Sequence, residues 1–493
     1  MDHKKKIREV INFVNANFIA EQKRSIFNPG VPLRQILDEK CELDASEAQK
    51  FVTITTTLAY LNSIMGNNTL LKGESGTAKT QLCKTIASVL YQLPIEFMDL
   101  ERIAGTPKTT KEDIYGNINL GKLTKEGKVV PFLYLPFYAP MVIIDEINRY
   151  TPFEQNIIRD GVSEGVWKIS GIPIEIAKQS VMSAMNPSNY DGVWPLNENL
   201  ADNFALQLQN PIYNIVSHNK IINNSRKNLK ALLGDKEITN QIEKFYEENK
   251  EDPEKMQKFI IEKTKDMKKI LEERDVPFIA NGSIDEIRTE ISKQPFGAET
   301  KLIEYMLVSE MEHSYKYGEN RSEDPKSDET HDMNYVSTML QRPLKGRFVT
   351  DMENIAKAIS WYMNEKNVSI DALKTAFVYS TAHRIKPETD LEQEILTERK
   401  HDGEPSCYTP MPVEYECAKK VFEKAYEHYN DFKNNDKDTM YALRKGIKIL
   451  TKDEKGSYAD AKKLLDRVDH PIAKRVLDDI AESKLKELGI AGA

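Results

Sequence analysis

Residues 69–81 read Thr-Leu-Leu-Lys-Gly-Glu-Ser-Gly-Thr-Ala-Lys-Thr-Gln, and residues 141–146 read Met-Val-Ile-Ile-Asp-Glu. Together they hold the residue types that phosphoryl chemistry needs. In the first, Gly73, Gly76 and Ala78, with Glu74, Ser75 and Thr77 between them, make a small-residue loop whose backbone can come close to an anion. Lys79 follows to reach the β- and γ-phosphates of a nucleotide, the Thr80 hydroxyl to ligate Mg2+, and Gln81 to lead into a helix. In the second, Asp145 would hold the Mg2+ shell and Glu146 would orient and deprotonate the attacking water. Asn186, at the end of the run Gln179–Met185, could hold that water or the γ-phosphate; Asn186-Pro187 is also an ordinary turn dipeptide. Each stretch alone has a bland counterpart, a plain strand-turn-helix or a strand ending in a solvated acidic turn. Their order, about 65 residues apart, points to a nucleoside triphosphate.

Such groups need rigid elements behind them. Thr69–Leu71 suits a short buried strand, and Leu82, Ile86, Val89 and Leu90 recur at helical spacing up to Tyr91. Met141–Ile144 suits a buried parallel strand, at whose C-terminal end ligands of α/β folds gather. Ile95–Leu100, Gln179–Met185 and Phe204–Leu208 are further strand candidates. Residues 101–130 suggest one inserted hairpin, with Lys122, Lys125 and Lys128 near its tip. Ser170-Gly171 suggests a second.

Before this core, a helix is expected over Lys5–Phe18 and another over Ser46–Met65, capped by Asp44 or Ser46. After it, residues 219–275 are helical in pattern and dense in Lys and Glu, as on a solvated face. Arg321–Thr330 reads as a linker. Phe348–Trp361 and Ser369–His383 form a pair of helices, with Ser369 or Asp371 as the second cap. A polar loop is expected beyond Pro387. Two amphipathic stripes follow, one through Tyr415, Ala418, Phe422, Ala425 and Tyr429, the other through Leu464, Leu465, Val468 and Val476.

The 493 residues are 30% charged and 40% apolar, with a net charge of −8, which argues against a general polyanion binder. Cys41, Cys83, Cys407 and Cys417 show no CxxC pairing, so neither a disulfide framework nor a zinc knuckle is indicated. No stretch reaches the roughly 18 consecutive apolar residues of a membrane span, and a cytoplasmic address is the expectation.

Taken in order, the motifs resemble the MoxR group of AAA+ ATPases, in the helix-2-insert clade. Gly73–Thr80 has the Ala-Lys form of the Walker A motif. Arg102-Ile103, Thr106-Pro107 and Asp113-Ile114-Tyr115-Gly116 resemble the opening of the helix-2 insert. Asp145-Glu146-Ile147-Asn148-Arg149 matches the extended Walker B motif. Met185-Asn186-Pro187 with Gly192-Val193-Trp194-Pro195-Leu196 is similar to the sensor 1 region, and Lys345-Gly346-Arg347 to the start of the sensor 2 lid. The resemblance implies an α/β fold: a five-stranded parallel AAA+ core with a helix-2 insert hairpin, followed by an α-helical lid and additional helical regions. It divides the chain into a lead-in (1–44), the core (45–210), a charge-rich connector (211–340), the lid (341–386) and a helical extension (387–493).

It further implies ATP and Mg2+ as ligands, a homo-oligomeric ring of six subunits, and a von Willebrand factor A-domain partner acting with the ATPase to remodel or mature a protein client. Arg347 would sense the γ-phosphate. One position departs from the group: Leu200-Ala201-Asp202-Asn203-Phe204 has Asn203 where an arginine finger is expected, leaving Arg149 or Arg159 to supply that charge. Two other readings compete. One is a nucleic-acid motor similar to minichromosome maintenance helicases, favoured by the basic hairpin tip. The other is a scaffold that binds ATP and turns it over slowly, prompted by Asn203.

Overall fold

The structure is a computed structural model that describes residues 2–19, 21–27, 48–99, 103–104, 112–177, 179–187, 190–209, 229–312, 336–342, 344, 346–401, 412–452 and 454–487. It divides into two compact units, Met1–Ser292 and Lys293–Ala493.

The first unit begins with helix α1 (His3–Val14), which buries Ile7, Val10, Ile11 and Val14 along one face and is capped by Asp2, whose carboxylate accepts from Lys5 N. Strands β1 (Arg24–Ser25) and β2 (Phe51–Val52) pair antiparallel. Helix α2 (Ile54–Ile64) is buried on all sides. It is shorter than the expected 46–65 because β2 takes the residues before it, and the expected caps Asp44 and Ser46 lie outside the described residues. Its N-terminus is served by Glu21 instead. Thr55 N donates to one carboxylate oxygen at 2.8 Å, and Thr56 N and Oγ1 to the other at 2.9 and 2.8 Å.

Next come β3 (Thr69–Lys72), α3 (Lys79–Tyr91) and β4 (Ile103–Ala104). Of the expected strand 95–100, the described residues Ile95–Asp99 are not extended, and Leu100 lies outside the described residues. After Pro94 the chain winds into a 3-10 turn, Phe97–Asp99, and Ile95 N bonds Leu233 O rather than a sheet neighbour. The insert hairpin, β5 (Gly116–Ile118) against β6 (Pro131–Leu133), has a short helix α4 (Leu120–Glu126) at its tip, capped by Asn119. Strand β7 (Met141–Asp145) and α5 (Pro152–Glu164) follow; α5 carries a capping box from Thr151 and Glu154. The second hairpin, β8 (Val166–Ile169) with β9 (Ile172–Glu175), turns at Ser170-Gly171 as expected. Then come β10 (Ser180–Met185) and β11 (Leu206–Gln209).

Five of these strands form one parallel sheet in the order β11-β3-β10-β7-β4. Strand β10 lies between β3 and β7, with Met185 opposite Lys72 and Ser183 opposite Ile144. The C-terminal ends of β3, β10 and β7 therefore stand side by side.

The described helices of residues 211–340 fall in both units. Helices α6 (Leu229–Leu233), α7 (Lys236–Asn249), α8 (Pro253–Glu273) and α9 (Asn281–Ser292) belong to the first unit, where Ile279 N bonds Val89 O and the Gln92 amide donates to Ile279 O. Helix α10 (Ala298–Glu312) belongs to the second, where Thr300 Oγ1 donates to Val368 O. Polar helical patterning reports a solvated face and is silent about which neighbour takes the apolar one. The predicted linker 321–330 lies outside the described residues.

In the second unit, α11 (Arg347–Tyr362) and α12 (Ile370–Thr381, capped by Ser369) are the expected helix pair. The segment after Pro387 is helix α13 (Thr389–His401) rather than a polar loop. Leu391 and Ile395, four apart, anchor it, and Asp390 and Glu392 suit its first turn. Helices α14 (Val413–Asn435), α15 (Lys437–Leu450), α16 (Tyr458–Leu465) and α17 (Pro471–Glu487) complete the unit. The stripe through Tyr415, Phe422 and Tyr429 is core, as are Leu464, Val468 and Val476.

Candidate nucleotide site

The loop 73–78 leaves the sheet with Gly73 N bonded to Met185 O at 3.2 Å. It turns through two left-handed residues, Gly76 at φ 77° and Ala78 at φ 60°. Alanine has the smallest Cβ-bearing side chain, yet a left-handed L-residue still costs roughly 1–2 kcal/mol. That conformation sets the first turn of α3, and Ala78 gives its N-terminus no side-chain cap. The first N–H groups of this 13-residue helix are thus left for an anion.

Lys79 is buried, and its side chain folds back over the loop. Its Nζ donates to Gly73 O and Glu74 O at 2.7 Å each, and to Asn186 Oδ1 at 3.2 Å. Burial lowers the Lys79 ammonium below its ordinary value of 10.5, against the opposing pull of Asp145 and Glu146. Thr80 Oγ1 donates to Asp145 Oδ2 at 2.9 Å. Asn186 Nδ2 donates to Glu146 Oε1 at 3.2 Å. Glu146 is itself left-handed at φ 50°, which turns its carboxylate off the end of β7. Arg149 Nε stands 3.1 Å from Glu146 Oε2, an ion pair made without hydrogen-bond alignment.

Lys79, Thr80, Asp145, Glu146, Arg149 and Asn186 therefore form one cluster at the C-terminal edge of the sheet. Gln81 faces away from it: its amide donates to Phe18 O at 3.2 Å, tying the N-terminal segment to α3. Arg159 pairs with its neighbour Asp160. Asn203 serves as a turn residue before β11, its amide donating to Asn199 O. Arg347 opens α11 in the second unit. Lys345 and residues 105–111 of the insert opening lie outside the described residues.

Two members escaped the sequence reading. Asn148 is buried and grips the Asn186 backbone from both sides: its Nδ2 donates to Asn186 O at 2.9 Å and its Oδ1 accepts from Asn186 N at 3.3 Å. It stands inside the quoted motif, but only the pairing of β7 with β10 reveals its task. Tyr190 crosses the loop, its hydroxyl accepting from Ser75 N at 3.3 Å and reaching Glu74 Oε2 at 3.4 Å.

The Thr80 hydroxyl and Asp145 carboxylate are hard oxygen donors, a set that suits Mg2+, which takes one or two protein ligands and completes its shell with phosphate oxygens and water. Among the described residues no cluster of three or more His, Cys, Asp or Glu offers a self-contained metal cage.

Residues 68–206 match the family model described as ATPase family associated with various cellular activities (AAA). Sheet order, cradle and acidic pair agree with that match, and the region is similar to an AAA+ core of the MoxR type. Curated relatives match over a similar number of residues. Uncharacterized protein YeaC of Bacillus subtilis (strain 168) is 29% identical over 141 residues, 28% of this chain and 41% of that protein. Uncharacterized protein YojN of the same organism is 28% identical over 160 residues, 30% of this chain and 49% of that protein. Chaperone MoxR1 of Mycobacterium tuberculosis (strain ATCC 25618 / H37Rv) is 29% identical over 141 residues, 28% of this chain and 35% of that protein. The chain thus spans less than half the length of each of these relatives. Among the described residues no helix is long and apolar enough to cross a membrane.

Proposed function

We propose that the chain is an ATPase that binds ATP with Mg2+ in the cradle and hydrolyses it. The observation that carries this reading is the continuous set of polar contacts from Lys79 through Asn186 to Glu146, beside Thr80 on Asp145. Lys79 exchanges its carbonyl partners for phosphate oxygens, so its charge neutralises the incoming anion. Thr80 and Asp145 would hold Mg2+, which would supply charge neutralisation for the transferred phosphoryl group. Glu146 takes a proton from the attacking water, with Asn186 fixing the carboxylate and the water's place. Arg347 senses the γ-phosphate in this reading. Binding of a fluorescent ATP analogue and release of phosphate test it together. Lys79→Ala should lose both, and Glu146→Gln should keep binding and lose release. Turnover by Glu146→Gln at the parental rate would refute the assignment of the base.

The cycle is proposed to run in a homo-oligomeric ring of six subunits, acting with a von Willebrand factor A-domain protein on a protein client. Two exposed aromatic side chains support a subunit interface. Phe153, at the start of α5, is 70% exposed, and Trp194, whose backbone N–H donates to Asn148 O, is 46% exposed. Sedimentation of the Glu146→Gln variant with ATP tests the ring, and mass spectrometry of what that variant retains tests the partner. The nucleic-acid motor finds less support, since Lys122 is paired with Glu251 and Lys128 lies 3.4 Å from Glu126.

One observation favours the slow scaffold as a second reading. Arg149 is engaged by Glu146 of its own chain, and Asn203 brings no charge. Arg149→Ala should free the carboxylate, while Asn203→Arg in an assembled ring should raise turnover towards the roughly 10³-fold or more that a trans arginine contributes. Rapid parental turnover that neither change alters would dismiss this reading.

A further inference from the structure

Helix α15 has two faces of opposite character. Met440, Leu443 and Ile447 lie in the core of the second unit, while Lys437, Tyr441, Arg444, Lys445 and Lys448 recur along the other side at i, i+4, i+7, i+8 and i+11. With Lys433 from α14 they line a groove of about 550 Å³ in which Glu454 is the acidic lining residue. A chain with a net charge of −8 thus concentrates five cations on one face. Tyr441, at the middle, is 50% exposed.

We propose that this face of α15 is a docking surface for an acidic, Asp/Glu-rich peptide segment of a protein partner. The groove already shows how it takes a carboxylate. Glu299 divides its two oxygens between Arg444 at 2.6 Å and Lys433 at 3.5 Å. Lys448 meets Glu454 at 3.7 Å, and Asp460 lies within electrostatic reach of Lys445. Among the described residues Lys437 and Lys445 make no ion pair, so charge remains for an incoming carboxylate. From Lys437 to Lys448 the stripe runs ~16 Å along the helix. An extended peptide covers that span with about five residues.

Single-stranded nucleic acid is the rival occupant, because it too seeks cations around an aromatic ring. The ring of Tyr441 is already attended by Lys445 Nζ at 5.9 Å and Arg467 Cζ at 5.7 Å from its centroid. Those cations occupy the approach a stacking base would need. The carboxylate precedent and the occupied ring favour the peptide.

The test uses the full chain and fluorescence anisotropy with a labelled peptide of about eight residues alternating Glu and Ser. The same peptide with Gln for Glu and an oligothymidylate of equal length serve as comparisons. The Glu peptide should bind with an affinity that falls as salt rises, and the Gln peptide should not bind. Charge reversal in Lys437→Glu/Lys445→Glu/Lys448→Glu should weaken binding at least about tenfold. The milder Lys437→Gln/Lys445→Gln variant should weaken it less, which covers the case in which the triple variant fails to fold. Equal binding of Glu and Gln peptides, or affinity unchanged in both variants, would overturn the proposal. Tighter binding of the oligothymidylate, lost in the same variants, would assign the surface to nucleic acid instead. ATP binding measured on the same samples keeps the outcome separate from the nucleotide reading, since none of these residues belongs to the cradle.

Discussion

Thr80 Oγ1 donates a 2.9 Å hydrogen bond to Asp145 Oδ2, joining residues 65 apart in sequence across the edge of one sheet. The bond exists because β10 is placed between β3 and β7, so that the cradle and the acidic pair leave the sheet on the same side. Two oxygens already held together would lose little freedom on binding the proposed Mg2+. Thr80→Ala removes one donor of the pair and should lower Mg2+-dependent turnover by at least about tenfold. Titration of ATP hydrolysis with Mg2+ checks this, and a rightward shift in the Mg2+ requirement is the expected signature. An unchanged Mg2+ requirement would detach Thr80 from the metal.

Asn148 holds Asn186 by its backbone, so Asn148→Ala should act through position rather than through binding. The buried N–H and C=O of Asn186 would lose their partners, at a cost of roughly 1–3 kcal/mol, and the amide beside Glu146 would drift. The expected result is a lower kcat with KM for ATP little changed, since the interaction matters most in the transition state. A change confined to KM would instead place Asn148 in nucleotide binding.

Much of the centre was legible in the sequence because its parts are local. The cradle is one continuous loop, and Asp145-Glu146 sits at the end of an apolar run that only a buried strand explains. What could not be read depends on distant partners. The edge strand is Ile103–Ala104 because Ile95 bonds Leu233, more than a hundred residues away, and no pattern within Ile95–Leu100 shows that. The cap of α2 is likewise not among its preceding residues but at Glu21. The helix after Pro387 was hidden by its polar composition, since two buried side chains suffice to anchor it.

Glu21 ties the N-terminal segment to helix α2 within the first unit. Its buried carboxylate accepts from three donors at the start of α2, while burial pushes its own protonation above the usual carboxylate value of 4.5. Glu21→Ala would leave those donors without partners and should destabilise the first unit by about 2–3 kcal/mol. Glu21→Gln, able to accept one bond, should fall between. Thermal unfolding followed by circular dichroism checks the order. Equal stability of all three proteins would mean that water replaces the carboxylate without loss.

The second unit should answer to pH through His428 and Glu310. His428 Nδ1 lies 2.9 Å from both carboxylate oxygens of Glu310, which is fully buried on α10. Burial works against the imidazolium, but the Glu310 carboxylate outweighs it and holds His428 above its ordinary 6.5. Lys424 opposes the charged imidazole and Asp431 supports it, both from the helix that carries His428. A group raised in the folded state contributes stability that is complete below its unfolded value and is lost as pH rises through the folded one. Glu310, raised by burial above 4.5, carries the same sign at lower pH. Protection of α10 and α14 against hydrogen exchange, corrected for intrinsic rates, should therefore fall as pH is raised from about 6.5, and His428→Gln should flatten that slope. A slope that survives in His428→Gln would place the responsible group elsewhere in the unit.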